Sequence, residues 1–265
     1  MSIFIIAECG VNHDGSVDKA KRLIDSAKAA GADAAKFQYF SSQKLWKDDR
    51  LKHLELRFSE FVLLHRYCEQ VGIEFMCTPF GVEEVTLLRQ LVKRWKIASG
   101  CITRIPILQA VRDTGLPIIL STGMSTLQEI AAAEQVLWDG DLTLLHCTSA
   151  YPCPIDQVNL RAMTELRDTF RTPVGYSDHT LGITVAIAAA AMGASVIEKH
   201  LTLDRAAVGP DHLSSIEPND FRVMVSAIRT VEQALGDGVK RVMPSEAKLR
   251  EQWHEPTATD SPSGY

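Results

Sequence analysis

The sequence lacks several features that would place it in a specialised class of protein. It has no run of about eighteen apolar residues, the length that a membrane helix needs. Its six cysteines include no C-x-x-C pair, and we expect no disulfide framework in a chain of this length without an export signal. Its net charge of −5 gives it neither a basic surface for nucleic acid nor a polybasic patch for membranes.

The amino terminus also lacks a positively charged leader. The segment "MSIFIIAECG" is apolar but short and runs into polar residues, so it predicts a first strand and not a signal peptide. We therefore expect a protein of the reducing cytoplasm.

Short β-rich segments alternate with longer amphipathic segments along the chain. The strand "SIFIIAE" precedes the helix "SVDKAKRLIDSAKAAGA", for which Ser16 is a plausible N-cap, and this unit recurs eight times. With 265 residues, 46% of them hydrophobic, the chain can form a full-sized core. Eight such units predict an α/β fold, a single-domain (β/α)8 TIM barrel over residues 1–246, followed by a poorly ordered tail over residues 247–265. An open doubly wound sheet is the structural alternative, but no G-x-G-x-x-G follows the first strand.

Polar residues stand at the carboxyl ends of most predicted strands, where the active sites of such barrels lie. Lys36 and Gln38 are two positions apart and so share one strand face. Lys96 and Ser99 are three apart, so they share a site only if the strand ends by Gly100. The other strands end in Glu8, Thr78, Ser121, "HCTSAYP", Ser177 with His179, and Glu198 with His200.

Each of these residues has an ordinary structural explanation when it is taken alone. A serine or threonine at a strand end commonly caps a helix, and an exposed lysine is commonly solvated. The lysines of "AAKFQ" and "WKIAS", however, lie inside apolar strands. A buried ammonium group without a partner is costly, so an anionic ligand would explain both lysines at once.

Two histidines follow neighbouring strands of the predicted barrel. His179 and His200 are either two core residues or two ligands of one Mn²⁺, Zn²⁺ or Fe²⁺ ion, since neutral imidazole binds all three. Two histidines without thiolates suit a catalytic ion with open positions better than a closed structural site. His13 and His212, in predicted loops, either assist this site or lie on the surface.

Several long motifs resemble one known family. The segments "FIIAECGVNHDGSVDKAKRLIDSAKAAGADAAKFQYF", "CTPF", "KIASG", "LSTGM", "HCTSAYPCP", "VNLRAM", "PVGYSDHTLGI", "GASVIEKHLTLDR" and "GPDHLSS" resemble the N-acetylneuraminate (sialic acid) synthases, from about residue 2 to about residue 246. The resemblance implies a (β/α)8 transferase that condenses phosphoenolpyruvate with an open-chain N-acylated amino sugar. The products are a nonulosonic acid and phosphate, and the cofactor is a divalent metal ion, Mn²⁺ or Mg²⁺. It also implies a homo-oligomer that acts on small molecules.

The resemblance assigns roles to residues of this sequence. His179 and His200 match the metal ligands, and Glu8 matches the general base. The positions that match phosphoenolpyruvate contacts are Lys36, Thr78, Lys96, Ser99, Ser121, Ser149 and Ser177. The positions on the acceptor side are Gln38, Cys101, Tyr151 and Asp211.

Two departures from the family pattern affect the acceptor side. The chain stops about where the linker to a C-terminal antifreeze-like domain would begin, and Cys101 stands where the family often has an acidic residue. A different aldehyde acceptor is therefore one alternative. A Schiff-base aldolase using Lys36, Lys96 or Lys199 is a second, although predicted strand six has no lysine. A catalytically inactive barrel that binds a sugar or a partner is a third.

Overall fold

The computed structural model describes residues 2–47, 49–137 and 141–254. Eight strands lie in these ranges: β1 Phe4–Gly10, β2 Ala34–Tyr39, β3 Glu74–Pro79, β4 Trp95–Ile97, β5 Ile118–Ser121, β6 Leu142–His146, β7 Val174–Asp178 and β8 Val196–His200. They form one parallel sheet in the order β3-β2-β1-β8-β7-β6-β5-β4, and β3 also lies beside β4. The sheet is thus a nearly closed barrel, which confirms the predicted (β/α)8 fold.

Helices connect successive strands on the outside of the barrel, and further helices follow the last strand in the chain. In the described ranges they are α1 Val17–Ala29, α2 Ser42–Trp46, α3 Phe58–Val71, α4 Val82–Leu88, α5 Ile105–Arg112, α6 Leu127–Val136, α7 Ala162–Phe170, α8 Thr184–Ala191, α9 Pro218–Leu235 and α10 Ala247–Trp253. None of the described helices is both long and apolar enough to cross a membrane.

Helix α1 illustrates why these segments form helices. The Ser16 side chain accepts a hydrogen bond from the Lys19 backbone N–H, so the predicted N-cap is confirmed. The buried residues Ala20, Leu23, Ile24 and Ala27 recur at helical spacing and form one apolar face. This face belongs to the main hydrophobic core, which lies between the barrel and its helices.

The barrel interior has an apolar floor. The residues of this floor cluster are Ile6, Ala34, Met76, Ile119, Leu145 and Val196. Because side chains on a strand alternate between two faces, the residue two positions later points in the same direction. Those residues are Glu8, Lys36, Thr78, Ser121, Cys147 and Glu198, so a polar layer lies directly above the floor.

The chain divides into two compact units, Met1–Gln233 and Ala234–Tyr265. The first contains the whole barrel. The second includes α10, which forms within the tail that the sequence predicted to be poorly ordered. Residues 255–265 of that tail lie outside the described residues, and the predicted boundary at residue 246 stays a prediction.

Candidate active site

A cavity of about 410 Å³ lies at the carboxyl ends of the barrel strands. It is lined by nearly all of the residues that the sequence singled out: Glu8, Lys36, Gln38, Thr78, Lys96, Ser99, Ser121, Ser149, Tyr151, Ser177, His179, His200 and Asp211. The barrel therefore brings together side chains from all eight of these strands or the loops that follow them. Their individual roles stay predictions.

Acidic and basic groups alternate at the bottom of this cavity. Glu8 forms an ion pair with Lys36, with which it is in register across β1 and β2. The Lys36 Nζ atom also lies 3.7 Å from Glu198 Oε2, and the Lys96 Nζ atom lies 3.5 Å from Glu198 Oε1. We call Glu8, Lys36, Glu198 and Lys96 the charge quartet. Its side chains are at most 5% exposed, so these charges are screened little by water.

Neutral side chains complete part of the hydrogen bonding around the quartet. Gln38 donates to Glu8 Oε1 over 2.9 Å, and Ser177 donates to Glu198 Oε1 over 3.0 Å. The Glu198 Oε2 atom and the Ser121 hydroxyl have no hydrogen-bond partner among the described residues. Buried polar atoms are normally satisfied, so these two atoms mark places where a polar ligand would fit.

The surroundings set the protonation of the quartet. Burial disfavours the charged form of Glu198, but Lys36 and Lys96 outweigh it and lower the Glu198 pKa to about 2. Burial likewise opposes the charge of Lys36, but Glu198 and Glu8 raise its pKa. Burial lowers the pKa of Lys96 and raises the pKa of Glu8. Glu198 is therefore the firmly ionised carboxylate, and Glu8 is the carboxyl group better suited to take up a proton.

The two histidines lie side by side at the mouth of the cavity. Their ring centroids are 5.5 Å apart. The Nδ1 atom of His179 lies 2.8 Å from the carbonyl oxygen of Thr148, which can only accept, so Nδ1 carries the proton and Nε2 carries a lone pair. Burial lowers the pKa of both rings, and His179 further lowers that of His200. Both imidazoles are thus in the neutral form that ligates metals.

The donor set fits a metal ion with open coordination positions. The His200 Nδ1 atom is buried without a hydrogen-bond partner, and it lies 3.5 Å from Asp211 Oδ2. In the described ranges no group of three or more His, Cys, Asp or Glu side chains is arranged to hold a metal. An ion at the two imidazoles would therefore need further oxygen ligands from substrate or water.

An aromatic ring and a carboxyl group border the histidine pair. The Tyr151 ring lies 4.1 Å from the His179 ring and 5.7 Å from the His200 ring, centroid to centroid. Asp211 comes from the loop between β8 and α9. Burial, together with the negative charge of Glu8, raises the Asp211 pKa to about 7. The mouth thus offers a flat apolar surface and a carboxyl group close to the imidazoles.

The comparison with known proteins decides the family. The model of the NeuB family matches residues 23–240. The chain is 44% identical over 277 residues to N,N'-diacetyllegionaminic acid synthase of Legionella pneumophila, covering 94% of this chain and 78% of that protein. It is 37% identical over 270 residues to human N-acetylneuraminate-9-phosphate synthase, covering 94% of this chain and 75% of that protein. The chain belongs to the NeuB family.

A solved structure agrees with this assignment. Sialic acid synthetase from Leptospira borgpetersenii, crystallised with citrate, superposes with a TM-score of 0.91 at 36% identity, covering 95% of this chain and 91% of that one. The predicted resemblance to sialic acid synthases is confirmed, and so is the prediction of a synthase-type enzyme.

One predicted residue of this NeuB-family barrel does not reach the cavity. Strand β4 ends at Ile97, and Ser99–Cys101 form a 3₁₀ turn, in which successive side chains point about 120° apart. Ser99 therefore lines the cavity, as its pairing with Lys96 requires. Cys101 is fully buried in the main hydrophobic core and does not line the cavity. The structure gives no support to the prediction that Cys101 faces the acceptor.

A polar corner surrounds Gly123 of the NeuB-family site. The Ser99 hydroxyl accepts a hydrogen bond from the Gly123 N–H over 3.0 Å and lies 3.2 Å from Cys147 Sγ. A Cβ atom on Gly123 would lie 2.3 Å from Ser149 Oγ and 2.9 Å from Cys147 Sγ. Only glycine lets these three side chains converge on one point of the cavity wall.

Some residues that line the cavity were given no functional role from the sequence. Glu198 is the most important, and its position two residues before His200 was a usable signal, since both must share one face of β8. Cys147 lies two residues after the floor residue Leu145, so the same rule places it in the cavity. Phe80 and Met124, which also line the cavity, follow their strands in loops and have no such signal.

Other candidate residues prove to be structural. Lys199 is fully buried against Asp178 and does not line the cavity, so it is no candidate for a Schiff base. His13 and His212, predicted to assist the site or to lie on the surface, are both buried. His212 bonds Asp14 through Nε2 over 2.9 Å and thereby connects the loops that follow β8 and β1.

Proposed function

We propose that this enzyme condenses phosphoenolpyruvate and water with an open-chain N-acylamino aldose, releasing phosphate and forming a nonulosonic acid. The observation that supports the proposal best is the charge quartet beneath two neutral imidazoles. Lys36 and Lys96 would bind the phosphate and carboxylate groups of the enol phosphate in a site where water screens charge little. The names of the relatives point to the same product class.

Each residue of the quartet has a distinct part in this proposal. Glu198 holds both ammonium groups before the ligand arrives. Glu8, whose pKa is raised by burial, would accept the proton of the water that adds to the enol-derived carbon. Gln38 and Lys36 orient the Glu8 carboxylate for that role.

The acceptor would enter at the cavity mouth, beside Tyr151 and Asp211. His179 and His200 would hold a divalent ion, Mn²⁺ or Mg²⁺, there. When bound, the ion would act as a Lewis acid on the acceptor's aldehyde. The fixed tautomer of His179 supports this assignment because it presents Nε2 as a lone-pair donor.

The test is a phosphate-release assay with phosphoenolpyruvate, Mn²⁺ and a panel of N-acylamino aldoses, followed by mass spectrometry of the product. We expect metal-dependent phosphate release that is lost in His179→Ala and His200→Ala but kept in His53→Ala, which alters an exposed histidine. No release with any aldose would favour an inactive binding barrel. Covalent trapping by borohydride with a keto substrate would instead favour a Schiff-base aldolase through Lys36 or Lys96.

A different acceptor is the second candidate within the same chemistry. Two relatives with similar coverage carry names of different products, a diacetyllegionaminic acid and an N-acetylneuraminate 9-phosphate. The acceptor panel therefore includes N-acetylmannosamine, its 6-phosphate and a diacetamido aldose. The acceptor with the highest kcat/KM identifies the substrate class.

A further inference from the structure

A buried ion pair lies directly behind the two cavity histidines. The Lys199 Nζ atom is 2.8 Å from Asp178 Oδ2, and both side chains are 0% exposed. The two residues are opposite each other in the register of β7 and β8. Neither lines the cavity, whereas the next residue in each case, His179 and His200, does. The pair therefore occupies the outer face of the same two strands.

The pair also fixes the residue that follows His179. Asp178 Oδ1 accepts hydrogen bonds from the Thr180 N–H over 2.9 Å and from its hydroxyl over 2.8 Å. Lys199 donates to the Thr180 carbonyl oxygen over 2.5 Å. All three polar groups of Thr180 are thus bonded to the pair. Since His179 lies between Asp178 and Thr180, its backbone is held on both sides.

His200 is held from the same direction. Lys199 precedes it in β8, so the ion pair joins β7 to β8 one residue before each histidine. The His200 carbonyl accepts from Ile216 N–H over 2.9 Å, and His200 is in register with Glu8. Besides the backbone pairing of β7 and β8, the bond between Asp178 and Lys199 therefore connects the two strands directly next to the rings.

Stability alone is a poor explanation for such a pair. Two charges lose their hydration when they are fully buried, and a well-packed apolar pair often stabilises a fold as much or more. Charged groups form strong, directional hydrogen bonds. Here the Lys199 ammonium group bonds Asp178 and Thr180, the residues on either side of His179.

We propose that Asp178 and Lys199 are positioning residues that set the spacing and orientation of the His179 and His200 imidazoles. This inference rests on the proposed function for the importance of those rings, but the geometry it concerns exists in the metal-free protein. The proposal gives Lys199, the lysine of "EKH", a role outside the reaction itself.

The test compares Asp178→Asn, Lys199→Met and the double variant with the wild-type chain. Asp178→Asn keeps an oxygen for Thr180 and removes only the charge that faces Lys199, so it serves if Lys199→Met fails to fold. The control for loss of an ion pair away from the cavity is Arg229→Met, which removes partly exposed ion pairs to Asp33, near the amino end of β2, over 2.8 Å and to Glu232 over 3.0 Å. Thermal unfolding of every variant measures the purely structural cost.

Two readouts separate positioning from stability. Long-range ¹H–¹⁵N spectra of histidine-labelled, metal-free protein report the tautomer and mobility of each ring. We expect the His179 and His200 signals to broaden or shift towards mixed tautomers in both single variants, with no further change in the double variant. The Mn²⁺ dissociation constant should rise by roughly tenfold or more, as for other groups behind metal ligands. Arg229→Met should change neither readout.

Unchanged histidine signals in Asp178→Asn and Lys199→Met, even with lowered unfolding temperatures, would overturn the proposal and leave a structural ion pair. If the wild-type chain binds no Mn²⁺, the metal site of the proposed function fails. The ring signals still decide the positioning role in that case, so the two failures are distinguishable.

Discussion

Glu198 gives the sharpest test of the charge quartet, through the variant Glu198→Gln. The carboxylate lies 3.5 Å from Lys96 Nζ and 3.7 Å from Lys36 Nζ. At an effective dielectric constant of about 20, each contact is worth about 4 to 5 kcal/mol of attraction before the cost of burying the charges. Among the described residues Lys96 has no second carboxylate within ion-pair distance, so the variant leaves a buried ammonium group unpaired.

The net loss of stability in Glu198→Gln is smaller than this attraction, because burying the charges costs free energy. Breaking a buried pair by removing one partner costs about 3 to 5 kcal/mol. For a chain of this size each kcal/mol lowers the unfolding temperature by about 2 to 4 °C, so we expect a fall of roughly 6 to 20 °C. Glu74→Gln is the control because it removes a partly exposed partner of Arg94, which should cost about 1 kcal/mol or less.

Glu198→Gln should bind anions more tightly than the wild-type chain, although it is less stable. Glu198 competes with a bound phosphate or carboxylate for Lys36 and Lys96, so its loss raises the affinity for anions while it lowers stability. Thermal unfolding with and without phosphoenolpyruvate measures both the stability and the anion affinity. Ligand at about 100 times Kd raises the free energy of unfolding by about 2.7 kcal/mol. Unfolding of Glu198→Gln at the wild-type temperature, or a smaller ligand-induced shift than in wild type, would refute this account.

Three further predictions concern residues near the site. Burial lowers the His13 pKa from 6.5 to about 4, so between these pH values the unfolded chain binds a proton that the folded chain does not. The free energy of unfolding therefore falls by up to about 3 kcal/mol as pH falls from 6.5 to 4. In urea unfolding, His13→Asn should reduce this dependence of stability on pH, and His53→Asn should not. Gly10→Ala should cost about 1 to 2 kcal/mol at φ +44° and reduce kcat, because its Cβ would lie 2.8 Å from Glu8 Oε1; wild-type activity would contradict this. Cys101→Glu should lose several kcal/mol of stability by burying a carboxylate in the core, and a wild-type melting temperature with altered acceptor preference would return Cys101 to the acceptor side.

Strand parity explains why most of the predicted site residues line the cavity. Lys36 and Gln38 line the cavity because each is an even number of residues from the floor residue Ala34. The same rule places Glu198, two residues after the floor residue Val196 of β8, in the cavity. The alternating layers of a barrel are therefore readable from sequence once one residue of the floor is known.

The rule fails where a strand ends. Ser99 and Cys101 are two apart, and parity would place both in the cavity, but the 3₁₀ turn after Ile97 sends Cys101 into the core. The end of β4 depends on tertiary contacts that no local pattern reveals.

Charge balance joins the quartet to the histidine pair. Lys36 and Lys96 contribute two positive charges, and Glu8 and Glu198 contribute two negative charges when both are ionised, so the bottom of the cavity is close to neutral. An enol phosphate brings both a carboxylate and a phosphate, and at low dielectric that excess negative charge is costly unless it is compensated. Since His179 and His200 are neutral, they contribute no charge of their own. The quartet alone thus accounts for the placement of an anion but not for its neutralisation, and this is the physical reason why we place a divalent cation at the imidazoles in the proposed function.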